Sequence, residues 1–457
     1  MVILGNGISG TTAARFIRKL SNYEITIVSE ETDHFFSRTA LMYIYMGHMK
    51  YEHTKPYEDF FWKKNRLNLI RGRVKEIDFD NKNLLFDPDK KFDTIFPAPA
   101  ELTYDYLILA VGSQPNRFNW PGQDLNGVNG LYSFQDLQYM EQYTEGIERG
   151  VIVGGGLIGV EMAEMMASRK IPVTFLVRES AFYSNNLPKE EAELISRHLK
   201  SHGIDLRLNT ELKEITADEH GRCSGVITSK GDEVPCQFVG LTAGVHPNID
   251  FLSNSGLQTD KGILVDEYLE TNFKGVFAIG DCAQLKNPPE GRKPIEPVWY
   301  TGRIMGETAA HTICGKPQVY NPGIWFNSAK FFDIEYQVYG NVPPENPPEI
   351  KSIYWESENG KKSIRINYLK EEKCVTGFNL MGVRFRQEIC EQWIAHKTPI
   401  TEVLKNISAA AFDPELTSNP EKNLVKQYEI ETGTKIPSTS TRGWGSALKV
   451  LRKLKNI

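Results

Sequence analysis

The chain has 457 residues, a formal net charge of −5 and 40% hydrophobic residues, as in an ordinary water-soluble globular protein of roughly two to four domains. It lacks the overall basic excess of a nucleic-acid-binding protein, and no run of about 18 apolar residues predicts a transmembrane helix. Met1 is followed at once by the first predicted strand, so we expect no signal peptide and a cytoplasmic location with reduced cysteines.

The first predicted element is a short strand that leads into a glycine-rich turn and a helix. Val2-Ile3-Leu4 precedes Gly5-Asn6-Gly7-Ile8-Ser9-Gly10, and the helix is predicted from Thr11 to Leu20. In such a turn the first glycine permits the tight bend, the second lets the backbone approach a pyrophosphate, and the third lets helix and strand pack closely. Unpaired N–H groups at the helix start would face the phosphates.

Acidic residues follow the next predicted strand, Glu24–Val28. Glu30 lies 20 residues after Gly10, near the position where a dinucleotide site places its ribose-binding carboxylate. Taken alone, Glu30 and Glu31 would be solvated loop charges. Beside the glycine turn, Glu30 is predicted to contact a ribose.

Residues 34–65 are rich in aromatic side chains and are predicted to be helical, and residues 72–77 are predicted to form a strand that contains Val74. A further strand over Tyr104–Gly112 precedes a turn at Ser113–Asn116 that leads the chain out of the first domain.

A second glycine motif stands about one domain later. Gly154-Gly155-Gly156-Leu157-Ile158-Gly159 is entered from the apolar residues 151–153, and a helix through Glu161–Arg169 and a strand at Val173–Val177 follow. One such motif is weak evidence, since glycine-rich turns are common. Two motifs in frame predict two dinucleotides on one chain, and therefore an enzyme that passes electrons between cofactors.

The later elements complete this organisation. An amphipathic helix over 188–203, hairpin segments over 205–236 and a strand over 237–244 finish the second unit, and strands at 262–265 and 276–281 return to the first domain. Beyond these, the strands 331–340, 351–357, 362–369 and 374–383 and the helix 386–396 alternate as in an antiparallel α+β domain, with an Asn359-Gly360 hairpin turn.

The predicted fold class is therefore α/β, with two doubly wound (Rossmann-like) nucleotide-binding domains and a smaller α+β C-terminal domain. The predicted boundaries are 1–117 with 245–318, then 118–244, 319–411, a linker over 412–441 and a basic amphipathic helix over 442–457.

The last segment, 442–457, carries five basic side chains and no acidic one, with its apolar residues on one half of a helix. It is predicted either to pack on its own or a sister subunit, or to dock on an anionic membrane surface or an acidic partner.

The order of these motifs resembles the pyridine nucleotide-disulfide oxidoreductase superfamily over roughly residues 1–340. The resemblance implies FAD at the first site and NAD(P)H on the inserted domain. It implies that Glu30 contacts the FAD ribose, that the Val74 backbone contacts adenine, and that Asp281 lies at the ribityl-phosphate region. The helix start at Glu296–Val298 would direct its N–H groups at the flavin pyrimidine. The implied cofactor-binding residues are Gly5, Gly7, Ser9, Gly10, Glu30, Arg38, Val74, Gly112, Gly280, Asp281, Glu296 and Val298 for FAD, and Gly154, Gly156, Ile158, Gly159, Arg178 and Gly244 for NAD(P)H.

Within the superfamily, the segment Glu30–Leu41 with Arg38 resembles ferredoxin and rubredoxin reductases and the flavin domain of NAD(P)H nitrite reductase. Disulfide reductases carry cysteine on the helix after the first turn, but residues 35–47 contain none. The resemblance therefore implies an acceptor such as rubredoxin, ferredoxin or a quinone, and a homodimer. We expect the six cysteines, including Cys282 after the Gly-Asp turn, to be small buried thiols, and neither a CxxC or CxxxxC pair nor a Cys–His cluster with metal-ligand spacing predicts a metal site.

One departure from the family affects the candidate catalytic residues, Glu161 and Tyr43. The family has a lysine, paired with the glutamate and close to flavin N5, where this chain has Tyr43. Glu161 then lacks that cationic partner, so its carboxyl group is expected to be partly protonated or to pair elsewhere. Alternatively, Tyr43 only packs.

The coenzyme preference is inferred from the residues at the end of the strand at Val173–Val177. Arg178 suits a 2′-phosphate, which favours NADPH, whereas Glu179 leaves NADH open. Two alternative functions also remain: a flavoprotein with a binding or regulatory role, similar to apoptosis-inducing factor, and a membrane-docked quinone reductase. An acidic ferredoxin would need a local basic patch, either residues 50–73 or the tail.

Overall fold

The computed structural model describes residues 1–412 and 420–437. The strands are β1 (Val2–Leu4), β2 (Ile25–Ser29), β3 (Leu67–Arg71), β4 (Val74–Asp78), β5 (Asn83–Phe86), β6 (Glu101–Thr103), β7 (Leu107–Leu109), β8 (Ser113–Pro115), β9 (Val128–Asn129), β10 (Gly150–Val153), β11 (Val173–Leu176), β12 (Asp205–Arg207), β13 (Leu212–Ala217), β14 (Cys223–Thr228), β15 (Glu233–Pro235), β16 (Phe238–Leu241), β17 (Val245–Pro247), β18 (Ile263–Val265), β19 (Val276–Ala278), β20 (Ala283–Leu285), β21 (Phe326–Phe331), β22 (Ile334–Gly340), β23 (Ile350–Glu356), β24 (Ser363–Leu369) and β25 (Val375–Met381).

The helices are α1 (Ile8–Leu20), α2 (Leu41–Tyr45), α3 (Phe60–Lys64), α4 (Phe134–Thr144), α5 (Leu157–Ser168), α6 (Lys189–Ser201), α7 (Trp299–Ile313), α8 (Gln387–Ala395), α9 (Ile400–Asn406) and α10 (Pro420–Thr432). Short 3₁₀ turns occur at Arg38–Ala40, Tyr51–Thr54, Asp250–Leu252, Gly280–Cys282 and Ile407–Ala409.

These elements form two compact units. The first unit holds residues 1–148, 214–225 and 235–322, and the second holds residues 149–213, 226–234 and the described chain from 323 onward. The second unit thus combines the second glycine motif with the C-terminal sheet. The domain boundaries given above remain a prediction.

The first unit is built on the parallel sheet β19-β7-β1-β2-β3. All residues of the three inner strands, β1, β2 and β7, are buried, as expected of parallel strands covered on both faces. Helices α1 and α7 pack closely because α7 has Gly306 at the contact, where a Cβ would lie 2.5 Å from the carbonyl oxygen of Ser9. This sheet carries the first glycine turn at the carboxyl end of β1.

The second unit contains a parallel set and an antiparallel sheet. Strands β12, β11 and β10 lie side by side in parallel, and the antiparallel order is β21-β22-β25-β24-β23. Helix α8 covers the antiparallel sheet and buries Trp393, whose ring lies 6.0 Å from that of Phe378. The parallel sheets and the antiparallel C-terminal portion confirm the predicted fold class.

Two sequence-based assignments need correction. Residues 34–65 are not one helix but two 3₁₀ turns and the five-residue helices α2 and α3, because Gly47, with φ +76°, and Pro56 interrupt the chain. Within the predicted linker, residues 420–432 form α10, since Leu424 and Tyr428, four residues apart, bury their side chains in the C-terminal core. The predicted helix over 442–457 lies outside the described residues.

In the parts of the chain that the structure describes, no helix is both long and apolar enough to cross a membrane.

Candidate dinucleotide-binding sites

The first glycine turn forms a cradle between β1 and α1. Gly5 has φ +113°, and a Cβ there would lie 2.1 Å from the carbonyl oxygen of Ala110. A Cβ at Gly10 would lie 2.1 Å from the carbonyl oxygen of Gly5, so both positions require glycine. Gly7 caps α1 without a side-chain hydrogen bond, and a Cβ there would meet no protein atom within 4 Å. The open space at this helix start fits a pyrophosphate, as FAD requires.

The Gly-Asp turn lies directly beside this cradle. A Cβ at Gly280 would lie 2.4 Å from Ser9 Oγ, and one at Gly302 of α7 would lie 2.5 Å from the same atom. Ser9 is itself buried. The structure therefore brings together Ser9 and Gly280, two of the predicted site residues, and places Asp281 at the edge of the first turn.

Asp281 belongs to a polar cluster. Its Oδ2 lies 3.4 Å from Ser113 Oγ and 3.5 Å from the Tyr132 hydroxyl, which also accepts a 2.8 Å hydrogen bond from the Ser113 N–H. Burial raises the pKa of Asp281, and Arg38 opposes that shift. Burial raises the pKa of Tyr132 to about 12, so its hydroxyl keeps its proton at neutral pH. The cluster can donate hydrogen bonds to a ligand.

Tyr132 is a member of this cluster that sequence reasoning missed. It lies just before α4, and the only local pattern is the capping box of Ser133 and Asp136, which indicates a helix start and no ligand. Its side chain also limits the space at Gly112, where a Cβ would lie 2.9 Å from the tyrosine hydroxyl.

The two neighbouring glutamates after β2 occupy different environments. Glu31 binds Arg38 through two hydrogen bonds of 2.9 and 2.6 Å, with only 17% of its side chain exposed. Glu30 is half exposed, and its carboxylate lies 3.5 Å from Arg73 Nε. The sequence associated Glu30 with the ribose and did not predict the role of Glu31 in holding Arg38.

The residues predicted to contact adenine and the flavin pyrimidine lie at or just before the starts of β4 and α7. Val74 begins β4 and is buried. Helix α7 begins at Trp299, with Val298 as its cap, rather than at Glu296. The Val298 N–H already donates a 2.8 Å hydrogen bond to the Glu296 carbonyl oxygen. The Glu296 carboxylate instead forms a buried ion pair with Arg292 at 2.5 Å.

In the second unit, the other glycine turn links β10 to α5. Gly154 has φ +111°, and Gly156 caps α5 without a side-chain hydrogen bond, as Gly7 does in the first unit. Ile158 and Gly159 lie in the first turn of the helix. A Cβ at Gly155 would lie 2.9 Å from Val177, which is fully buried. This turn fits a second pyrophosphate.

The end of β11 presents a cation to solvent. The Arg178 side chain is 68% exposed, and its Nη2 lies 3.1 Å from Glu179 Oε1. Asn185 donates a 2.8 Å hydrogen bond to the same oxygen. Val177 cannot take the place of a ribose-binding acid, so Arg178 and Glu179 are the charged groups available there.

The candidate catalytic residues belong to different units. Glu161 lies on α5, and burial, with a smaller contribution from Glu164, raises the pKa of its carboxyl group to about 7. Glu164 is paired with Lys330 at 2.5 Å. Tyr43 lies on α2, half-buried, with its ring stacked on His48 at 6.3 Å. A pKa near 7 agrees with the expected partial protonation of Glu161.

Two further glycines flank a short connection in the first unit. β8 pairs antiparallel with β17, and the Asn116 N–H donates 3.0 Å to the Gly244 carbonyl oxygen. Gly112 and Gly244 stand immediately before these two strands, both with positive φ. The structure thus places Gly244, which was predicted to bind NAD(P)H, next to the β8–β17 strand pair of the first unit.

The cysteines are all free, with four buried and two partly buried. Cys282 Sγ lies 3.4 and 3.5 Å from the carbonyl oxygens of Ile279 and Leu109, and burial raises the pKa of its thiol to about 12. Cys282 is therefore a packed thiol, as expected. Cys314 and Cys374 depart from full burial because they lie at or near the ends of their elements.

Comparison with known proteins identifies the family of the chain. The family model described as pyridine nucleotide-disulphide oxidoreductase matches residues 1–310. Rhodocoxin reductase of Rhodococcus erythropolis is 30% identical over 88% of this chain and 90% of its own length. An NADH oxidase of Methanocaldococcus jannaschii is 29% identical over 73% of this chain and 74% of its own.

A solved structure shows the same fold: a ferredoxin reductase from Rhodopseudomonas palustris has a TM-score of 0.74 at 21% identity and covers 83% of this chain and 91% of its own. The resemblance inferred from the motifs is confirmed. The chain belongs to the pyridine nucleotide-disulphide oxidoreductase family and is an FAD-dependent NAD(P)H oxidoreductase.

Proposed function

We propose that the enzyme takes electrons from NADPH and delivers them singly to a small redox protein of the rubredoxin or ferredoxin type. The observation that carries this proposal is the segment after β2, which has no cysteine between residues 35 and 47 and instead carries the Arg38–Glu31 pair. The name of the relative rhodocoxin reductase supports an acceptor protein. When bound, FAD accepts a hydride from the nicotinamide and releases electrons one at a time.

In this proposal the glycine turn at Gly5, Gly7 and Gly10 holds the FAD pyrophosphate at the start of α1. Glu30 binds the ribose, and the Asp281 cluster faces the ribityl-phosphate region. The turn at Gly154 and the exposed Arg178 serve NADPH. Each assignment rests on a helix that begins at a glycine without a side-chain cap hydrogen bond, which leaves backbone N–H groups for a phosphate.

A candidate docking surface for the acceptor lies on and near α3. Phe60 is 65% exposed, and Lys63 and Lys64 on the same helix are exposed as well. Arg71 and Arg73 in the same stretch are engaged with Asp33 and Glu30. An exposed aromatic beside lysines suits a small acidic protein, because the ring supplies contact area and the charges guide encounter. We call residues 60–64 the α3 patch.

The test is anaerobic reduction with NADPH followed by mixing with rubredoxin, ferredoxin, a quinone or ferricyanide. A Lys63→Glu, Lys64→Glu variant should lower kcat/KM for the protein acceptor at least tenfold at low salt and leave ferricyanide reduction unchanged. Lys189→Glu on α6, an exposed lysine elsewhere, is the matched control. Electron delivery to the quinone alone would refute the protein-acceptor proposal.

The segment 442–457, outside the described residues, is proposed as a second basic docking element. Its deletion should leave ferricyanide turnover intact and weaken binding to the acceptor or to anionic vesicles. Loss of the dimer or of solubility on deletion would instead support packing.

We also propose a homodimer through residues 319–411 and a cytoplasmic location. Light scattering of the FAD-loaded protein tests the first, and cell fractionation tests the second.

A further inference from the structure

Two histidines of α6 and an aspartate from a turn converge in the second unit. His198 and His202 are four residues apart and therefore lie on one face of the helix, with ring centres 4.6 Å apart. Asp333 lies in the turn between β21 and β22. Its Oδ1 is 2.7 Å from His198 Nε2 and 2.9 Å from His202 Nε2. One ligand atom from each residue lies within 4.8 Å of the others.

Ordinary hydrogen bonding leaves this cluster incompletely explained. The His198 side chain is only 3% exposed, and within the described parts of the chain its Nε2 has no hydrogen-bond partner of suitable geometry, although Asp333 Oδ1 lies 2.7 Å away. Buried nitrogen atoms are normally satisfied, so an unsatisfied one requires a reason. Here two imidazoles approach the same carboxylate oxygen, an arrangement that a shared cation would satisfy.

The spacing between each imidazole Nε2 and the Asp333 carboxylate oxygen is close to that of metal ligands. Ligands about 2.0–2.1 Å from a tetrahedral zinc ion lie about 3.3 Å from one another. The two Nε2–Oδ1 distances therefore need to widen by about 0.5 Å. Asp333 is half exposed on a hairpin turn and can move by that amount. The exposed side of His202 leaves room for water to complete the coordination.

Neighbouring groups already orient two of these side chains. The His202 ring stacks on Phe332 with centres 4.5 Å apart. Lys361 Nζ lies 2.9 Å from Asp333 Oδ2, which leaves Oδ1 directed at the histidines. The lysine charge also opposes a cation at the site and should limit its affinity.

We propose that His198, His202 and Asp333 form a binding site for a divalent transition-metal ion, with Zn²⁺ as the physiological candidate. Two imidazoles and a carboxylate are a ligand set that zinc accepts. The ion would join the end of α6 to the β21–β22 turn. This site is separate from the flavin chemistry and does not depend on the proposed function. The sequence did not reveal it, because Asp333 lies 131 residues after His202.

The test uses tag-free, FAD-loaded protein stripped with a chelator. Zn²⁺ is titrated by calorimetry, and Co²⁺ is titrated by its visible absorption, which strengthens on entering a low-coordinate site. We expect one ion per chain, with a dissociation constant of about 10 μM or tighter, and a higher Tm with the ion bound. His202→Ala and Asp333→Asn should each weaken binding at least tenfold, and Lys361→Met should tighten it.

His220→Ala is the matched control, since His220 is an exposed histidine 3.5 Å from Glu219 with no second histidine in the pair. FAD content and thermal unfolding of each variant without metal show that it is folded. No binding of Zn²⁺ at 100-fold the expected dissociation constant would overturn the proposal. Equal binding by wild type, His202→Ala and Asp333→Asn would overturn it too.

Discussion

Glu31 holds Arg38 through both of its carboxylate oxygens. Arg38 Nη1 donates 2.9 Å to Oε1, and Nη2 donates 2.6 Å to Oε2. The guanidinium also donates to the Tyr132 carbonyl and lies 4.5 Å from the centre of the Tyr132 ring. The Phe134 N–H donates 2.9 Å to Glu31 and fixes it in turn. Glu31 is thus a positioning residue for Arg38.

Glu31→Gln should raise the dissociation constant of FAD about tenfold, or ~1.4 kcal/mol, because a neutral amide cannot keep the paired charge-assisted bonds. Fluorescence titration of the apoprotein with FAD measures this change, and the visible spectrum of bound FAD should shift as Arg38 moves. Asp124→Asn, which breaks the exposed Arg117–Asp124 pair, is the control. An unchanged affinity and spectrum would mean that Arg38 does not depend on Glu31.

Gly7→Ala should separate folding from cofactor binding. The added methyl group meets no protein atom within 4 Å, so the apoprotein should keep its Tm within about 2 °C. The same methyl would occupy the space next to the pyrophosphate, so FAD should be lost on gel filtration. Retention of FAD with normal affinity would place the pyrophosphate elsewhere.

The sequence predicted those parts of the site that depend on backbone geometry. Gly10 is required by its contact with the Gly5 carbonyl oxygen, and Gly5 by its φ of +113°, and both requirements arise within one strand–turn–helix that a local pattern encodes. Tyr132 joins the site through its contact with Ser113, and Glu31 through its contact with Arg38. No local sequence pattern predicts either contact. A tertiary contact also explains α10. Its polar composition predicted a linker, but Leu424 and Tyr428 are buried in the C-terminal hydrophobic core. Helix α7 begins at Trp299, later than predicted, because the Val298 N–H donates its hydrogen bond to the Glu296 carbonyl oxygen.

Glu161 should impose a pH dependence on flavin reduction. Burial raises the pKa of its carboxyl group to about 7, so the group is neutral below and anionic above that pH. In the position that the family resemblance implies, the anion would stabilise the positive charge that develops on the nicotinamide. The single-turnover rate with NADPH should therefore rise as the pH passes through about 7. Stopped-flow measurements between pH 5.5 and 8.5 test this.

Glu161→Gln should flatten that profile and lower the rate about tenfold at pH 8, a barrier increase of ~1.4 kcal/mol. Glu164→Gln, on the same helix, should keep the wild-type shape with a modestly lower midpoint, because the Glu164 charge contributes to raising the pKa. The same midpoint in wild type and Glu161→Gln would assign the ionisation to another group.

Arg178 should decide between the two coenzymes. Its guanidinium is exposed and lies 3.1 Å from Glu179 Oε1, its one ion-pair partner among residues 1–412 and 420–437, so a 2′-phosphate can compete for it. Arg178→Ala should lower kcat/KM for NADPH by about 30-fold and change the value for NADH less than about threefold. Steady-state assays with ferricyanide measure both. A wild-type preference for NADH above tenfold would reverse the assignment.

The cysteines should be dispensable for electron transfer. A disulfide acceptor needs a reactive thiol beside the flavin, and thiol exchange needs a thiolate. Cys282, the cysteine next to Asp281, is fully buried with a pKa of about 12, and burial raises the pKa of Cys390 as well. Cys223 and Cys236 are buried, with their sulfur atoms 3.8 Å apart, and the hydrogen bond between them lowers the pKa of Cys223. Cys282 and Cys390 therefore do not meet the requirement, and replacement of all six cysteines tests the others.

Replacing all six cysteines by Ser or Ala should leave NADPH-to-ferricyanide turnover within about tenfold of wild type, a change below ~1.4 kcal/mol in the barrier. The wild type should not reduce glutathione, lipoamide or coenzyme A disulfides. Since six substitutions in packed positions can destabilise the fold, Cys282→Ala alone is measured beside the full variant, with thermal unfolding of both. A variant that keeps its FAD and its reduction by NADPH but fails to reoxidise would demonstrate a thiol relay, and an acceptor requiring cysteine chemistry would replace the redox-protein acceptor.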